Sequence, residues 1–536
     1  MTGTLADPRV RPARVPPRHR ARRVLPEAAG LAAAVTFALI AVAHLVLTDR
    51  AWVLFSDGDS VLPALLHGSL AVGERQDWAL SSVLFVPEFA LYSALAALGL
   101  GVRGTLAVNA VVNLVLFYAA VRAVTGLVRP RATRATRIAA AVLAAGAFDA
   151  RTLLDSSAAW DSLELPSLLA TTTYYSATVL AAVAAVGLTA ALFARRRRAT
   201  AVGLLALTAV STWTNPLFVA WAVLPLALIA AGLTVRRSVA PRVTASVLGV
   251  LAAGVAAGFA ARLPFASLIA RGPAAYAHPD GALPAVGYTL RLVVERCATG
   301  AGIASLLAAV ALQAAAAVVA LRLRRSGSTA GAAVAAYGVV APVAAVLGSI
   351  ALGAPASRYL QPVFFAPILV LTLVKPPARL PAPLRSRAAR VTVALLGAAA
   401  ALASAAAIGS VAARADPGIR CVDAWVTASG RTGAGLFQTI RGPKAYLPDP
   451  RRLVQVDATL HAQPWLTDRA DYDVARVSFL VTDTASPAIA VPPSAPVPAV
   501  VRCGRYRILD YGAAVLPILP AGPLVPPTPP PTAAFH

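Results

Sequence analysis

The chain has 536 residues, of which 58% are hydrophobic and 13% charged, with a mean hydropathy of +0.71. A soluble domain carries roughly 25% charged residues, whereas here apolar runs of about twenty residues recur, the length that crosses the hydrocarbon core of a bilayer. Strand-length alternation is absent from those runs, so a soluble globular enzyme and a spanning β-barrel are both excluded, and a polytopic all-α membrane protein remains. The formal net charge of +25 points first to nucleic acid, but its distribution speaks against that partner. The basic residues form short clusters between apolar runs: Arg9 to Arg23, Arg129 to Arg137, Arg195 to Arg198, Arg236 to Arg242, Arg322 to Arg325, and Lys375 to Arg390. That is the pattern that orients helices in a bilayer. Lysine occurs only at positions 375 and 444, and the excess of Arg and Ala suits a GC-rich genome.

Residues 1–27 are rich in Arg and Pro and read as a disordered basic cytoplasmic tail. The transmembrane domain covers 28–413. Its first span, 28–47, lacks a small-residue cleavage site and reads as a retained anchor. The first outer loop, 48–103, contains Ser56-Asp57-Gly58-Asp59-Ser60 and holds six of the acidic residues between Asp49 and Glu88. No acid follows from Phe89 to Phe148, and none from Leu165 to Pro279. Ser81 to Gly101 is apolar but contains Pro87 and Glu88, and it reads as a helix lying at the outer interface, since a carboxylate is costly at mid-membrane.

Ten further spans are expected at 104–125, 138–150, 173–194, 199–214, 216–235, 243–262, 300–321, 329–350, 359–374 and 391–413, about eleven in all. Every basic cluster then falls inside. Of the 23 acids, only Asp7 and Glu27 fall inside as well. The chain is therefore expected in the plasma membrane, with a cytoplasmic N-terminus and its acids at the outer face. Three further outer segments emerge. One carries Asp149, Asp155, Tyr174 and Tyr175; one carries His278, Arg291 and Arg296; the third is Gly353 to Pro362 with Arg358-Tyr359 at a helix start.

Residues 414–515 form a hydrophilic extracytoplasmic region. Leu453 to Val456, Val477 to Val481 and Tyr506 to Leu509 read as strands of a small α/β domain. Cys421 and Cys503 flank it and are able to form a disulfide if the region lies outside, the alternative being two free thiols. Residues 516–536 are Pro-rich and read as a disordered tail.

The motif Asp57-Gly58-Asp59 is also a common turn or helix-cap sequence; its position, directly after the first span, adds weight. The order of basic tail, first helix, Asp-bearing loop, interfacial helix with Pro87-x-x-x-Leu91-Tyr92, and a helix opening after Gly101-Val102-Arg103-Gly104 resembles the membrane-embedded C-type glycosyltransferases, which use polyprenyl-phosphate sugars, and their actinobacterial members in particular. The resemblance implies transfer of a sugar to an envelope glycan, lipid or protein acceptor. It implies that Asp57 or Asp59, with Asp59 preferred, is the first-loop acid. It also implies that Arg358, followed by Tyr359, grips the lipid phosphate, and that Asp149 and Asp155 form a further acidic site. One branch of the family uses a divalent metal, for which no ligand set is apparent here; Val86-Pro87-Glu88 departs from the His-Pro-Pro segment of some members.

The chemistry of such a transfer asks for the same groups. A carboxylate takes the proton of the attacking hydroxyl, and a guanidinium stabilises the departing phosphate. Glu88 either faces the cavity or headgroup water. Tyr174 and Tyr175 offer aromatic faces to a sugar or belong to the interfacial belt. Arg291, Arg296 and the solitary His278 complete the substrate-binding candidates. A transporter or flippase of lipid-linked precursors is the rival reading, as is a catalytically silent envelope-assembly scaffold. A transporter is expected to show charged or broken helices near mid-membrane, often as repeats, and no repeat is apparent here.

Overall fold

A computed structural model describes residues 17–195, 197–270, 277–375 and 386–522. Helix α1 (Pro17–Leu47) begins within the stretch expected to be a tail, because its Arg, Leu, Ala and Glu residues all favour a helix. The rest of that tail, 1–16, lies outside the described residues. Two short helices follow, α2 (Ala51–Phe55) and α3 (Leu62–Ala71), then strand β1 (Trp78–Ala79) and α4 (Val86–Ala96). At 11 residues α4 is too short to span a bilayer. Next come α5 (Gly101–Val128) and α6 (Arg134–Thr152). After a 3-10 turn (Pro166–Ala170), α7 (Ser176–Ala194) and α8 (Arg198–Thr214) are followed by a π turn (Val219–Val223) that runs into α9 (Leu224–Val235), and by α10 (Pro241–Ala260). The helical body is completed by α11 (Ala282–Cys297), α12 (Gly300–Arg325), α13 (Thr329–Ala351), α14 (Pro362–Phe365) and α15 (Arg387–Ala413).

Among the described residues seven stretches are helical, long and apolar enough to cross a membrane: Leu25–Leu47, Gly101–Val128, Ser176–Ala194, Pro241–Ala260, Gly300–Arg325, Thr329–Ala351, and one within Arg387–Ser429. The other four expected spans are also on helices, but shorter or more polar ones. Ser357–Leu373 is interrupted at Pro362 and Pro367, each of which removes a helical N–H, and so breaks into short turns. Val219–Val235 widens into its π turn just before Pro225. Helix α6 carries Arg134, Arg137, Asp149 and Arg151.

The core of the helical body is built from small and aliphatic side chains. Ala38, Val42, Ala110, Leu114, Phe117, Val183 and Ala185 are fully buried where α1, α5 and α7 meet. Close approach is most marked between α8 and α10. A Cβ on Gly254 would come 2.6 Å from Cβ of Thr208, and one on Gly258 would come 2.6 Å from Cβ of Thr212. The small-x-x-x-small spacing lets the two backbones touch.

The C-terminal region begins with α16 (Pro417–Ser429), capped by Asp416 accepting from Ile419 N–H at 2.9 Å. Strand β2 (Gly433–Leu436) leads into α17 (Phe437–Tyr446), then β3 (Leu453–Val456), β4 (Thr467–Asp468), β5 (Arg476–Val477), β6 (Phe479–Asp483), β7 (Ala499–Cys503), β8 (Tyr506–Asp510) and β9 (Leu516–Pro517). Five strands form one sheet in the order β3-β2-β6-β8-β7, parallel across β3, β2 and β6 and antiparallel at β8 and β7. Cys421 on α16 and Cys503 at the end of β7 are joined in a disulfide, with Cα atoms 5.3 Å apart. The segment expected to be a tail from 516 starts as β9, which pairs antiparallel with β5; positions 523–536 lie outside the described residues.

A buried ionic network ties the helical body together near one end. Arg296, the last arginine of α11, meets Asp155 at 2.8 Å and Glu164 at 2.9 Å. Arg50 donates to the Glu164 carbonyl at 2.7 Å, to Ser167 Oγ at 2.9 Å and to the Ala159 carbonyl at 2.6 Å. Glu164 in turn accepts from the N–H groups of Ser156 and Ser157. Removing one partner of such a pair leaves the others charged and dry, at about 3–5 kcal/mol. Arg296→Ala should therefore lower the Tm of the detergent-purified protein by several degrees. Arg291→Ala, which breaks an exposed 3.8 Å contact with Glu295 and a half-exposed stacking on the Tyr288 ring, should leave it within about 1 kcal/mol of wild type. Equal Tm values for the two variants would refute the assignment.

Candidate active site

The site forms where the loop between α2 and α3 is held from three directions. Asp57 is fully buried. Its Oδ2 accepts from Ser60 N–H at 3.1 Å and from the Tyr174 hydroxyl at 3.0 Å, and its Oδ1 has no partner. Asp59 turns to the other side. Its Oδ2 lies 3.5 Å from Nη1 of Arg358, and the two side chains are 20% and 25% exposed, so this pair is reachable where Asp57 is not.

The second wall is the segment between the 3-10 turn Pro166–Ala170 and α7. Thr173 Oγ1 donates to the Asp59 carbonyl at 2.6 Å, and Thr172 Oγ1 donates to the Ser60 carbonyl. Tyr175 takes a left-handed backbone (φ 68°) before α7 begins. The third wall is the turn Ser357–Leu360. Its N–H at Ser357 donates to Asp161 at 3.2 Å, and Gln361 Nε2 donates to the Tyr174 carbonyl at 2.9 Å. These bonds set Arg358 and Tyr359 beside Asp59. The rings of Tyr175 and Tyr359 are near-parallel with centroids 6.4 Å apart, and Trp221 meets Tyr175 edge-on at 5.8 Å.

The C-terminal region supplies a fourth side. Gly58 N–H donates to Gln438 Oε1 at 3.2 Å, and Arg441 Nε donates to the Gly58 carbonyl at 2.7 Å. The Tyr446 hydroxyl donates to the Phe55 carbonyl at 2.7 Å. A Cβ at position 58 would lie 2.8 Å from the Phe437 ring, so a side chain there would have to push the ring aside. Arg441 is buried 4.8 Å over that ring, with Nη2 unpaired. Burial lowers its guanidinium to about 10, and the Asp59 and Asp57 charges oppose the fall. Arg358 Nε and Ser60 Oγ are likewise buried without a partner. Four buried polar atoms around this one loop thus have no protein partner.

The remaining candidates divide. Glu88 is buried in the first turn of α4 and is hydrogen-bonded to Ala177 N–H, at the N-terminal end of α7. A carboxylate is favourable at that helix end, yet burial pushes it up to about 7. It therefore props the helix that follows Tyr175. Asp155 and Arg296 pair with each other in the buried network, not with Asp57, Asp59 or Arg358. Burial lifts Asp155 to about 6, against the pull of Arg50. Asp149 is buried on α6 with Oδ1 unpaired. Arg291 is exposed over Tyr288. His278 N–H donates to the Leu352 carbonyl at 2.7 Å, tying the segment before α11 to the end of α13. Among the described residues no group of three or more His, Cys, Asp or Glu stands together as a metal site would require.

Gln438, Arg441 and Asp161 belong to the site and were not among the residues singled out by sequence. Their partners are far away in the chain, Gln438 being 380 residues from Gly58, and no local pattern marks them. Set against known proteins, the chain matches no family model and no curated protein.

Asp57 is pushed from 3.8 up to about 7, first by burial and then by the Asp59 carboxylate, with the Ser60 and Tyr174 hydrogen bonds acting the other way. Between these values the folded protein holds a proton that the unfolded chain has lost, so the contribution to stability is complete below 3.8 and declines as pH rises toward about 7. Asp57→Asn cannot ionise. It should melt higher than wild type at about pH 8, and the gap should narrow toward about pH 4. A gap that widens on acidification would reverse the assignment.

Proposed function

We propose that the chain is an integral-membrane glycosyltransferase of the C type, moving a sugar from a polyprenyl-phosphate donor to an envelope glycan, lipid or protein acceptor at the outer face of the plasma membrane. The observation that carries the reading is the accessible Asp59–Arg358 pair, 3.5 Å apart, beside the buried Asp57 and next to helices apolar enough to border a lipid tail. The Asp59 carboxylate takes the proton of the acceptor hydroxyl as its oxygen bonds to the anomeric carbon. The bond from that carbon to the phosphate oxygen breaks with inversion, and the electron pair leaves with the phosphate. Arg358 faces that phosphate with a charge-assisted fork of donors. Tyr175 and Tyr359 offer a flat face to the sugar, and Asp57, held by Tyr174, keeps the loop in register.

Membranes carrying wild type, Asp59→Asn or Arg358→Gln should be compared for transfer from radiolabelled polyprenyl-phosphate sugars. Each variant should express at the wild-type level and lose transfer by roughly a hundredfold or more, the worth of a general base or of a preorganised charge. Wild-type rates in both would sink the reading. So would donor movement across the bilayer without transfer, which would mark a flippase.

A further inference from the structure

From the other end of the helical body, we infer that the chain binds a second phosphate group, that of an anionic lipid headgroup or of a free phosphate ion, in a pocket formed by the α9–α10 and α12–α13 turns. This site is separate from the Asp59–Arg358 pair and does not rest on the transferase reading. Helix α13 has 23 residues, about 34 Å at 1.5 Å per residue. The pocket is at its first residue, and Arg358 follows its last. The two sites therefore lie at opposite ends of the bundle.

The cavity measures about 330 Å³ and is lined by Arg237, Ser238, Arg324, Arg325 and Thr329, with Leu233 at its apolar side. Three guanidiniums and two hydroxyls supply many donors of the kind that phosphate oxygens accept. None of the three arginines has a carboxylate partner among the described residues. None is close in sequence either, because the chain holds no acid from Leu165 to Pro279 or from Arg296 to Ala415. No aromatic ring lines the pocket, so a nucleobase has nothing to stack on. Val235, the last residue of α9 and two before Arg237, is 82% exposed, and Leu321 is half exposed on α12. Apolar surface beside a basic pocket is the arrangement that seats an anionic lipid.

A comparison of the two turns adds independent support. Both close in the same way. Ser238 N–H donates to the Leu233 carbonyl and Arg237 N–H to that of Thr234; Ser328 N–H donates to Leu323 and Gly327 N–H to Arg324. The second residue after each helix is left-handed, at φ 76° for Gly327 and φ 55° for Arg237. Glycine is the usual occupant of that position because a Cβ is strained there. Arg237 stands where glycine is usual, which brings a guanidinium to the pocket lip at a cost in backbone strain.

Arg237→Gly relieves the turn, so the variant should fold at least as well as wild type. The purified full chain in neutral detergent should be tested by native mass spectrometry and by thermal melting with added phosphatidylglycerol, phosphatidylcholine or inorganic phosphate. Wild type should retain phosphatidylglycerol and melt higher with it, while the Arg237→Gly/Arg324→Gln protein should bind it at least tenfold more weakly. If inorganic phosphate alone raises the wild-type Tm, and does so less in the variant, the ligand is the free ion and the site stands. Equal binding by both proteins, or equal stabilisation by phosphatidylcholine, would overturn the proposal.

Discussion

A carboxylate taken fully out of water dictates much of this architecture. Asp57 sits between α2 and α3 with no exposure, and a second carboxylate lies two residues on. Burying such a group is costly unless donors meet it. The donors come from Tyr174 and the Ser60 N–H, and the neighbouring carbonyls are met by Thr172, Thr173 and Arg441. Those partners belong to segments that are distant in the chain. The α2–α3 loop can hold its shape only if the segment before α7, the turn before α14 and helix α17 converge on it. The buried network of Arg50, Asp155, Glu164 and Arg296 serves that convergence from behind, since it anchors the run from Ser156 to Ser167 that leads into Tyr174.

Charge is sorted along the helix axes. Carboxylates concentrate in the segments at one end, with Asp57, Asp59, Asp155, Asp161 and Glu164 all close to the ends of α1, α6 or α13. The α9–α10 and α12–α13 turns at the other end hold arginines with no acid near them in sequence. Opposed charges at the two ends make the ends chemically different. One end presents an acid beside a guanidinium and two tyrosines; the other presents mostly guanidiniums, with Glu27 paired to Arg122 and Arg134. The first arrangement has the groups suited to a proton and a leaving anion, and the second those suited to an anion alone.

Much of this was legible in the sequence, and for a physical reason. In a chain that avoids acids over long stretches, Asp57 and Asp59 stand out, and a loop directly after a span has few places to go. Arg358 at the start of a Pro-broken apolar segment stands out in the same way. Asp155 and Arg296 look alike in sequence to such residues, because a charged residue at a segment end reads the same whether it meets substrate or a buried counter-charge; the structure pairs them with each other. Span counts are blurred by a similar ambiguity. Hydropathy registers that Ser357–Leu373 and Val219–Val235 are apolar, but it does not register that proline interrupts their backbone hydrogen bonds. Gln438 and Arg441 were out of reach, since their bonds to Gly58 cross almost four hundred positions and leave no local periodicity.

The C-terminal region is therefore more than an appended module. Strand β4 pairs with β1 of the first loop, Arg469 meets Asp77 at 2.9 Å, and α17 hydrogen-bonds both faces of the Gly58 peptide. A buried peptide group must find a partner for its N–H and its C=O. For Gly58 both partners come from one turn of α17, which itself is held between the parallel strands β2 and β3. The same turn places the Arg441 guanidinium close enough to Asp57 and Asp59 to feel their charge. Without the domain the loop would keep its two carboxylates and the bonds from Thr172 and Thr173, but lose both bonds to Gly58. The sheet thus acts on the site through the loop's backbone, and a glycine at position 58 suits this, since a Cβ there would crowd the Phe437 ring.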